Sequence, residues 1–380
     1  MNDPQLRLTP FGLELGLTTE EGLKLLDGPV PTDAEGLQNY SSALWLKGRT
    51  EEALTLAQRA FELHRTVPTC INLAVILESL AQYDSALYYA YLAQQTDPTD
   101  ERAVQCYGEH LLRHGRFKEG WPKYCFRRAN ANFALLSPQL PEWTDQVLLD
   151  RRILVVGYGG YGDHIYFLRS LAELRRRGAI ITYLCDDNLR PLVRSLGFHV
   201  PYDLTQAVNP DDYDFYSTTY SLPMKLGWEL GYPRWSEQYI HVGLLHRLKL
   251  GRGNIGLCWR AGELSSPRKS RELSVEQYSR VAWRIQSRLQ DFTGRCYPTW
   301  LHTARALAKL SLLITVDTGV AHLAGAMHVP TWVILPGHAA WQYPIGHDYH
   351  PLYPTMRLFW SRSEGMEDAV QSCLEAMKCL

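Results

Sequence analysis

The sequence has few features that would place the chain in a membrane, outside the cell or on nucleic acid. Its most apolar stretch, Leu310 to Met327, carries Asp317 and His322 in its middle, so we expect no membrane span there. The start, MNDPQLRL, has no charged-then-apolar segment, so we expect no secretory signal. Lys and Arg total 39 against 40 Asp and Glu, a net charge of −1, which excludes the strong positive field of a dedicated nucleic-acid binder. We therefore expect a cytoplasmic protein without a nucleic-acid partner.

Several chemical signatures are also missing. The 8 cysteines are scattered and form no Cys-x-x-Cys pair, which indicates reduced, mostly buried thiols rather than a disulfide framework or a zinc site. The chain has no Walker lysine loop and no Gly-x-Ser-x-Gly elbow. We therefore predict no metal and no tightly held cofactor.

The N-terminal third is rich in Ala, Leu, Glu and Gln, with apolar residues at helical spacing. Aligning the small residues Ala53, Ala86 and Gly120 gives spacings of 33 and 34 residues, the period of a tetratricopeptide repeat. Small residues recur there because the two helices of a hairpin approach closely only where no bulky side chain intervenes. The pattern predicts three helical repeats, with a plain helical bundle as the alternative, after a short helix from Thr18 to Leu26.

The rest of the chain has an α/β pattern. Short buried apolar runs alternate with amphipathic helices, which is typical of doubly wound parallel sheets. The predicted strands are Arg152–Val156, Ala179–Cys185, Asn254–Trp259, Leu312–Val316 and Thr331–Leu335. The predicted helices are Asp163–Arg177, Asn188–Leu196, Ser274–Leu289 and Val320–Met327. We predict an N-terminal helical extension (1–33), tetratricopeptide-like repeats (34–130), a linker (131–150) and two Rossmann-like halves (151–245 and 246–380) that face a cleft.

The first strand leads into a glycine loop that allows three interpretations. Gly157 to Gly162 satisfies G-x-G-x-x-G, and Asp186 follows the next strand, as in a dinucleotide fingerprint. Asp163 counts against that interpretation, because a carboxylate at the helix start repels a pyrophosphate. Asp163 is equally suited to capping the helix or to taking a proton from an acceptor hydroxyl. The spacing alone does not decide among the three.

A second glycine turn, in LLITVDTGVAHLAGA, follows a buried strand directly. Free amides at the helix start and the Thr318 hydroxyl predict an anion site, and Gly319 lets the backbone approach a phosphate. Asp317 is placed to accept hydrogen bonds from sugar hydroxyls. His322 is either a further donor or a buried histidine at a domain interface. The segment from 245 to 295, with eleven Lys and Arg against four Asp and Glu, adds basic residues on the loop after the NIGLCW strand: Arg260, Arg268, Lys269 and Arg271.

These segments together resemble a bacterial family in which tetratricopeptide repeats precede a glycosyltransferase domain of the GT-B fold. That domain is similar to heptosyltransferases and more distantly to protein O-GlcNAc transferases. The resemblance is carried by HGRFKEGWPKYCFRR, by RRILVVGYGGYGDHIYFLRSL and above all by VDTGVAHLAGAMHVPTWVILP. It implies an inverting, metal-independent transferase that uses a nucleotide-diphosphate sugar as co-substrate.

The resemblance also implies roles for individual residues. Asp163 matches the general base, and Lys269 or Arg271 matches a basic residue on the phosphates. The positions matching the donor site are Asp317, Thr318, Gly319 and His322, with Arg260 nearby. The positions matching the acceptor-side loop are Gly159, Gly160, Gly162 and His164. The repeats indicate a protein or peptide acceptor, with a glycan or another non-protein acceptor as the alternative.

The chain departs from the family pattern in three places, one of which is the charged loop after the NIGLCW strand, where the family's usual His and Asn-Asp are missing. It has Tyr158-Gly159 where the family commonly has Glu-Gln, and His302-Thr303-Ala304 where it commonly has Asp-Thr-Ala. A catalytically degenerate scaffold or binding protein is therefore the second hypothesis. An NAD-dependent oxidoreductase, from the glycine loop, is the third.

Overall fold

The computed structural model describes residues 23–125, 140–201, 209–228, 237–242, 253–260, 271–294, 297–362 and 365–379. Within these ranges, an N-terminal helical region precedes two α/β units built on parallel sheets. None of the helices described is both long and apolar enough to cross a membrane. The six cysteines characterised there are free thiols, five of them buried.

The helical region consists of three hairpins of paired helices. The helices are α1 (Ala34–Leu46), α2 (Thr50–Leu63), α3 (Val67–Ser79), α4 (Tyr83–Thr96), α5 (Glu101–Arg113) and α6 (Phe117–Cys125). We call the pairs α1–α2, α3–α4 and α5–α6 hairpins 1, 2 and 3; they begin 33 and 34 residues apart. Side chains of Asp33, Thr66 and Asp100 cap the first helix of each hairpin, which fixes where each hairpin starts.

The small residues of the repeat lie where the paired helices touch. Ala53 and Ala86 are fully buried. A Cβ atom at Gly120 would lie 2.8 Å from Leu112 of the partner helix, and one at Gly108 would lie 2.7 Å from the backbone of Tyr124. Close approach of the two helices therefore requires small residues at these positions, as the sequence predicts.

The first α/β unit contains a three-stranded parallel sheet with strand order β2-β1-β3. Its elements are β1 (Arg152–Val156), α7 (Tyr161–Arg176), β2 (Ile180–Leu184), α8 (Arg190–Ser195), β3 (Phe215–Thr218) and α9 (Leu222–Lys225). From residue 140 onward, the predicted linker lies beside β3, where Tyr216 N donates to Pro141 O and Trp143 N donates to Tyr216 O. Trp143 is buried beneath this edge.

The second α/β unit contains a five-stranded parallel sheet with strand order β5-β4-β6-β7-β8. Its elements are β4 (Ile255–Cys258), α10 (Val275–Ile285), β5 (Leu289–Asp291), α11 (Trp300–Leu307), β6 (Leu312–Val316), α12 (Gly319–Ala326), β7 (Thr331–Leu335), β8 (Met356–Trp360) and α13 (Glu367–Ala376). Every residue of β6 is buried, as expected for a central strand covered on both faces.

Most predicted elements are present with small shifts of their ends. The strands predicted at 152–156, 312–316 and 331–335 are confirmed residue for residue. The helix predicted from Ser274 to Leu289 is wrong at its end, because α10 stops at Ile285 and the chain enters β5. Residues 18–22 of the helix predicted at Thr18–Leu26 lie outside the described residues. Leu25–Asp27 form a 3₁₀ turn.

One hydrophobic core joins hairpin 3 to both α/β units. Trp121 and Tyr124 of α6 pack edge-on against Trp341, with ring centroids 5.2 and 5.3 Å apart. Trp121 also contacts Trp228 of the first unit, at 6.1 Å. Aromatic side chains bury large apolar areas, so this cluster fixes the helical region against the sheets.

Candidate functional site

The two predicted glycine turns lie at the carboxyl ends of β1 and β6 and open α7 and α12. The two helix starts are in direct contact. A Cβ atom at Gly162 would lie 3.1 Å from Cδ2 of His322 and 3.6 Å from Cα of Gly319. The structure therefore brings the acceptor-side loop and the Asp317-Thr318-Gly319 turn together, one from each α/β unit.

Asp163 is half-buried at the third position of α7, and both of its carboxylate oxygens accept hydrogen bonds. Gly160 N donates to Oδ2 at 3.0 Å, and Gln342 Nε2 donates to Oδ1 at 2.8 Å. The first bond caps the helix start, which was one of the three interpretations of this residue. The carboxylate also lies at the positive end of the helix dipole, which stabilises its negative charge.

Gly159 makes this arrangement possible. Its φ of +90° lies in the left-handed region, and a Cβ atom there would overlap the Tyr220 hydroxyl and the Asp163 carboxylate. The dinucleotide interpretation would place a pyrophosphate at the amides of this helix start, beside the carboxylate. Asp186, its candidate ribose acid, accepts hydrogen bonds from the backbone of Asn188 and Leu189.

Asp317 anchors the second turn. Its side chain is buried, and Oδ2 accepts hydrogen bonds from Arg271 Nη1 at 2.7 Å and from the backbone N of Ala340 at 3.0 Å. The Thr318 hydroxyl lies 3.2 Å from that of Thr315. The first turn of α12 has N–H groups without acceptors inside the helix, so this turn offers donors to an anion.

The predicted basic residues do not all reach the turn. Arg271 contacts Asp317, which places a cation beside the start of α12. Arg260 is exposed and stacks over the ring of its neighbour Trp259, at 4.8 Å from the ring centroid. Lys269 lies outside the described residues, as does Arg268.

Both candidate histidines are buried and neutral. Burial lowers the pKa of His322 to about 4, and the ring packs among Tyr166, Tyr343 and Tyr353 with Nδ1 3.3 Å from the Tyr353 hydroxyl. Burial likewise lowers the pKa of His164 to about 4, and its Nδ1 lies 2.6 Å from the Tyr183 hydroxyl. The geometry of His322 is that of a histidine packed at the interface between the two units, one of its two interpretations.

Sequence reasoning missed the segment that joins the two carboxylates. Residues 336–345, which we call the bridging loop, supply Ala340 to Asp317 and Gln342 to Asp163. The missed signal is positional: the loop follows β7 at the same carboxyl edge of the sheet as the Asp317 turn, where ligands of open α/β sheets bind.

The chemistry available at this site is that of carboxylates, amides, helix-start N–H groups and one arginine. In the ranges that the structure describes, no group of three or more His, Cys, Asp or Glu side chains could hold a metal ion. The arrangement can bind an anion at α12 and can accept a proton at Asp163.

No family model matches the sequence, and no curated protein matches it significantly. Solved structures align with it at low similarity. The iron-containing dodecameric glycosyltransferase TibC from enterotoxigenic E. coli aligns over 61% of this chain and 78% of its own, at 14% identity and a TM-score of 0.39. A variant of the O-GlcNAc transferase of Thermobaculum terrenum aligns over 95% and 87%, at 14% identity and a TM-score of 0.36. The E. coli heptosyltransferase WaaC with ADP aligns over 60% and 99%, at 14% identity and a TM-score of 0.35. Likeness at this level says nothing about the reaction.

Proposed function

We propose that the chain is a glycosyltransferase of the GT-B fold that uses a nucleotide-diphosphate sugar. The observation that supports this most is the contact between Gly162 and Gly319. The start of α7, which carries Asp163, thus lies against the start of α12, whose free N–H groups suit an anion, at the carboxyl edges of the two parallel sheets. A base and a leaving-group site side by side are what transfer of a sugar to a hydroxyl requires.

The donor diphosphate in this proposal lies on the first turn of α12, with Thr318 and Gly319 as backbone donors. Arg271, already beside the turn, supplies positive charge, and Arg260 and Lys269 extend it. Asp317 accepts hydrogen bonds from sugar hydroxyls. His322, being neutral, supports the turn by packing and adds no charge to the phosphates.

In the proposed reaction, Asp163 takes the proton of an acceptor hydroxyl as its oxygen attacks the anomeric carbon. The new carbon–oxygen bond forms as the bond to the diphosphate breaks on the opposite face, which inverts the anomeric configuration. The negative charge that develops on the diphosphate is stabilised by the α12 N–H groups and Arg271. No step of this proposal requires a metal.

The three hairpins support the proposal of tetratricopeptide repeats and of a protein or peptide acceptor. Such repeats stack into a continuous surface that holds extended chains. A glycan or another non-protein acceptor is the alternative, and acceptor assays with peptide and glycan pools distinguish the two.

The first test is ligand binding followed by turnover. Nucleoside diphosphates and their sugars are screened by thermal shift, where a bound ligand at 100 times its Kd adds about 2.7 kcal/mol of stability. Asp163→Asn is expected to keep the shift and to lose roughly 100-fold or more of the turnover, because the proton acceptor is gone. Asp211→Asn, at an exposed turn, is the matched control. Equal turnover of Asp163→Asn and the wild type would exclude Asp163 as the base.

A binding protein without transferase activity is the second candidate. It is favoured by the fact that both Asp163 oxygens are already hydrogen-bonded within the protein. This candidate predicts no thermal shift with any nucleoside diphosphate and no donor consumption, but binding of a protein partner by the hairpins.

A further inference from the structure

The bridging loop is held by all three hairpins. Trp45 of hairpin 1 packs edge-on against His338, with ring centroids 6.4 Å apart. In hairpin 2, the Tyr83 hydroxyl donates to Gly337 O at 3.0 Å. In hairpin 3, Arg113 Nη2 donates to Ala339 O at 2.5 Å. Trp121 of the same hairpin packs against Trp341.

The contacts follow the repeat. Trp45, Ser79 and Arg113 are spaced by 34 residues and lie at or next to the end of the first helix of each hairpin. Trp45 Nε1 donates to Ser79 Oγ at 2.7 Å, and a Cβ atom at Gly337 would lie 3.2 Å from the carbonyl of Ser79. The ends of the three first helices therefore form a row along the loop.

The same loop holds the candidate site from the other side. Ala340 N bonds to Asp317, Gln342 Nε2 bonds to Asp163, and the Tyr343 ring packs on His322 at 5.3 Å. Residues 337–339 thus contact the hairpins, and Ala340, Gln342 and Tyr343 contact the site. Trp341 packs on Trp121 of hairpin 3.

We propose that Gln342 is a positioning residue for Asp163 and that the hairpins set its place through the bridging loop. This inference rests on the proposed function. Gly160 N fixes one carboxylate oxygen and Gln342 Nε2 fixes the other, so rotation of the carboxylate about its bond to Cβ is restricted. A general base must be held within hydrogen-bonding reach of the proton that it takes.

Stability alone does not account for Gln342. The residue is 3% exposed, and its Oε1 has no hydrogen-bond partner among the described residues. A buried carbonyl oxygen without a partner destabilises the folded state, and an apolar side chain of similar shape would avoid that cost. The contribution of the amide is therefore the hydrogen bond that its Nε2 donates to Asp163.

The first experiment replaces Gln342 in the full chain. Gln342→Met is expected to lower kcat about tenfold, to leave the Kd for the nucleoside diphosphate within about twofold, and to leave Tm unchanged or raised. Gln342→Glu is expected to lose more turnover, because a second carboxylate repels Asp163. Gln371→Met, on the exposed side of α13, is the control.

The second experiment loosens the loop from the hairpin side. Tyr83→Phe removes the hydroxyl that holds Gly337 and is expected to lower kcat about threefold in the wild type, but not in the Gln342→Met background, because both changes act through one contact.

The outcomes separate the two proposals. If Gln342→Met turns over as fast as the wild type, or if its loss of turnover is matched by a lower Tm, the positioning role is overturned. The proposed transferase activity is unaffected by either result. A Tyr83→Phe effect of equal size in both backgrounds overturns the part played by the hairpins. Absence of donor consumption by the wild type overturns the proposed function, and the positioning role with it.

Discussion

Four of the five buried histidines in the described part of the chain have a lowered pKa, which predicts a strong loss of stability in mild acid. Burial lowers the pKa of His164 and His322 from 6.5 to about 4, lowers that of His350 well below the ordinary value, and lowers that of His110. All four are therefore neutral near pH 7 in the folded state. In the unfolded chain they titrate near 6.5.

The sign follows from proton linkage. Because the folded-state pKa is lowered, the unfolded state binds protons first, so the stability is fully present above pH 6.5 and is lost as pH falls toward 4. Between pH 7 and pH 5, His164 and His322 each remove about 2 kcal/mol, and together about 4 kcal/mol. His350 and His110 act in the same direction. A typical domain is stable by only about 5–15 kcal/mol, so the loss is large.

The assay is urea unfolding followed by tryptophan fluorescence at pH 7, 6 and 5. His164→Phe is expected to reduce the difference in the free energy of unfolding between pH 7 and pH 5 by about 2 kcal/mol, whatever its effect on stability at pH 7. His302→Phe, at an exposed position of α11, is the control and keeps the full difference. A free energy of unfolding that stays constant from pH 7 to pH 5 would refute the reasoning.

Two further predictions concern packing. Arg113→Met leaves the buried Glu78 carboxylate without its 2.5 Å ion-pair partner and is expected to cost about 3–5 kcal/mol of stability. The double variant Glu78→Gln/Arg113→Met is expected to recover much of that loss. Urea unfolding measures both variants, and equal losses in the two would contradict the prediction. Gly159→Ala places a side chain at positive φ against Tyr220 and Asp163 and is expected to cost about 1–3 kcal/mol of stability in urea unfolding. Gly227→Ala, also at positive φ but with open space around it, is expected to cost less in the same assay.

The sequence predicted the central strands well because they are continuous apolar runs with no competing pattern. It failed at the end of α10, where Arg280, Arg284 and Arg288 recur at helical spacing and extend the apparent helix. The chain leaves the helix at Gln286, whose φ of +50° is unusual for a residue other than glycine. The helix propensities of the residues around Gln286 do not indicate that the helix ends there, so β5 was missed.

The candidate site was predictable to the extent that it follows from strand ends. Asp163 was found because it follows the glycine loop after β1, and the Asp317 turn because it comes directly after β6. Gln342 was not, because it lies 179 residues from Asp163 and meets it only after the hairpins and both sheets have packed. His322 was predicted at the site, but the three tyrosines that surround its ring were not.

The contacts between the hairpins and the bridging loop bear on how many hairpins such a chain can carry. Each hairpin meets the loop through a different group: the Trp45 ring, the Tyr83 hydroxyl and the Arg113 guanidinium. Three successive loop residues, 337 to 339, receive these groups, so adding or removing a hairpin would require a matching change in the loop.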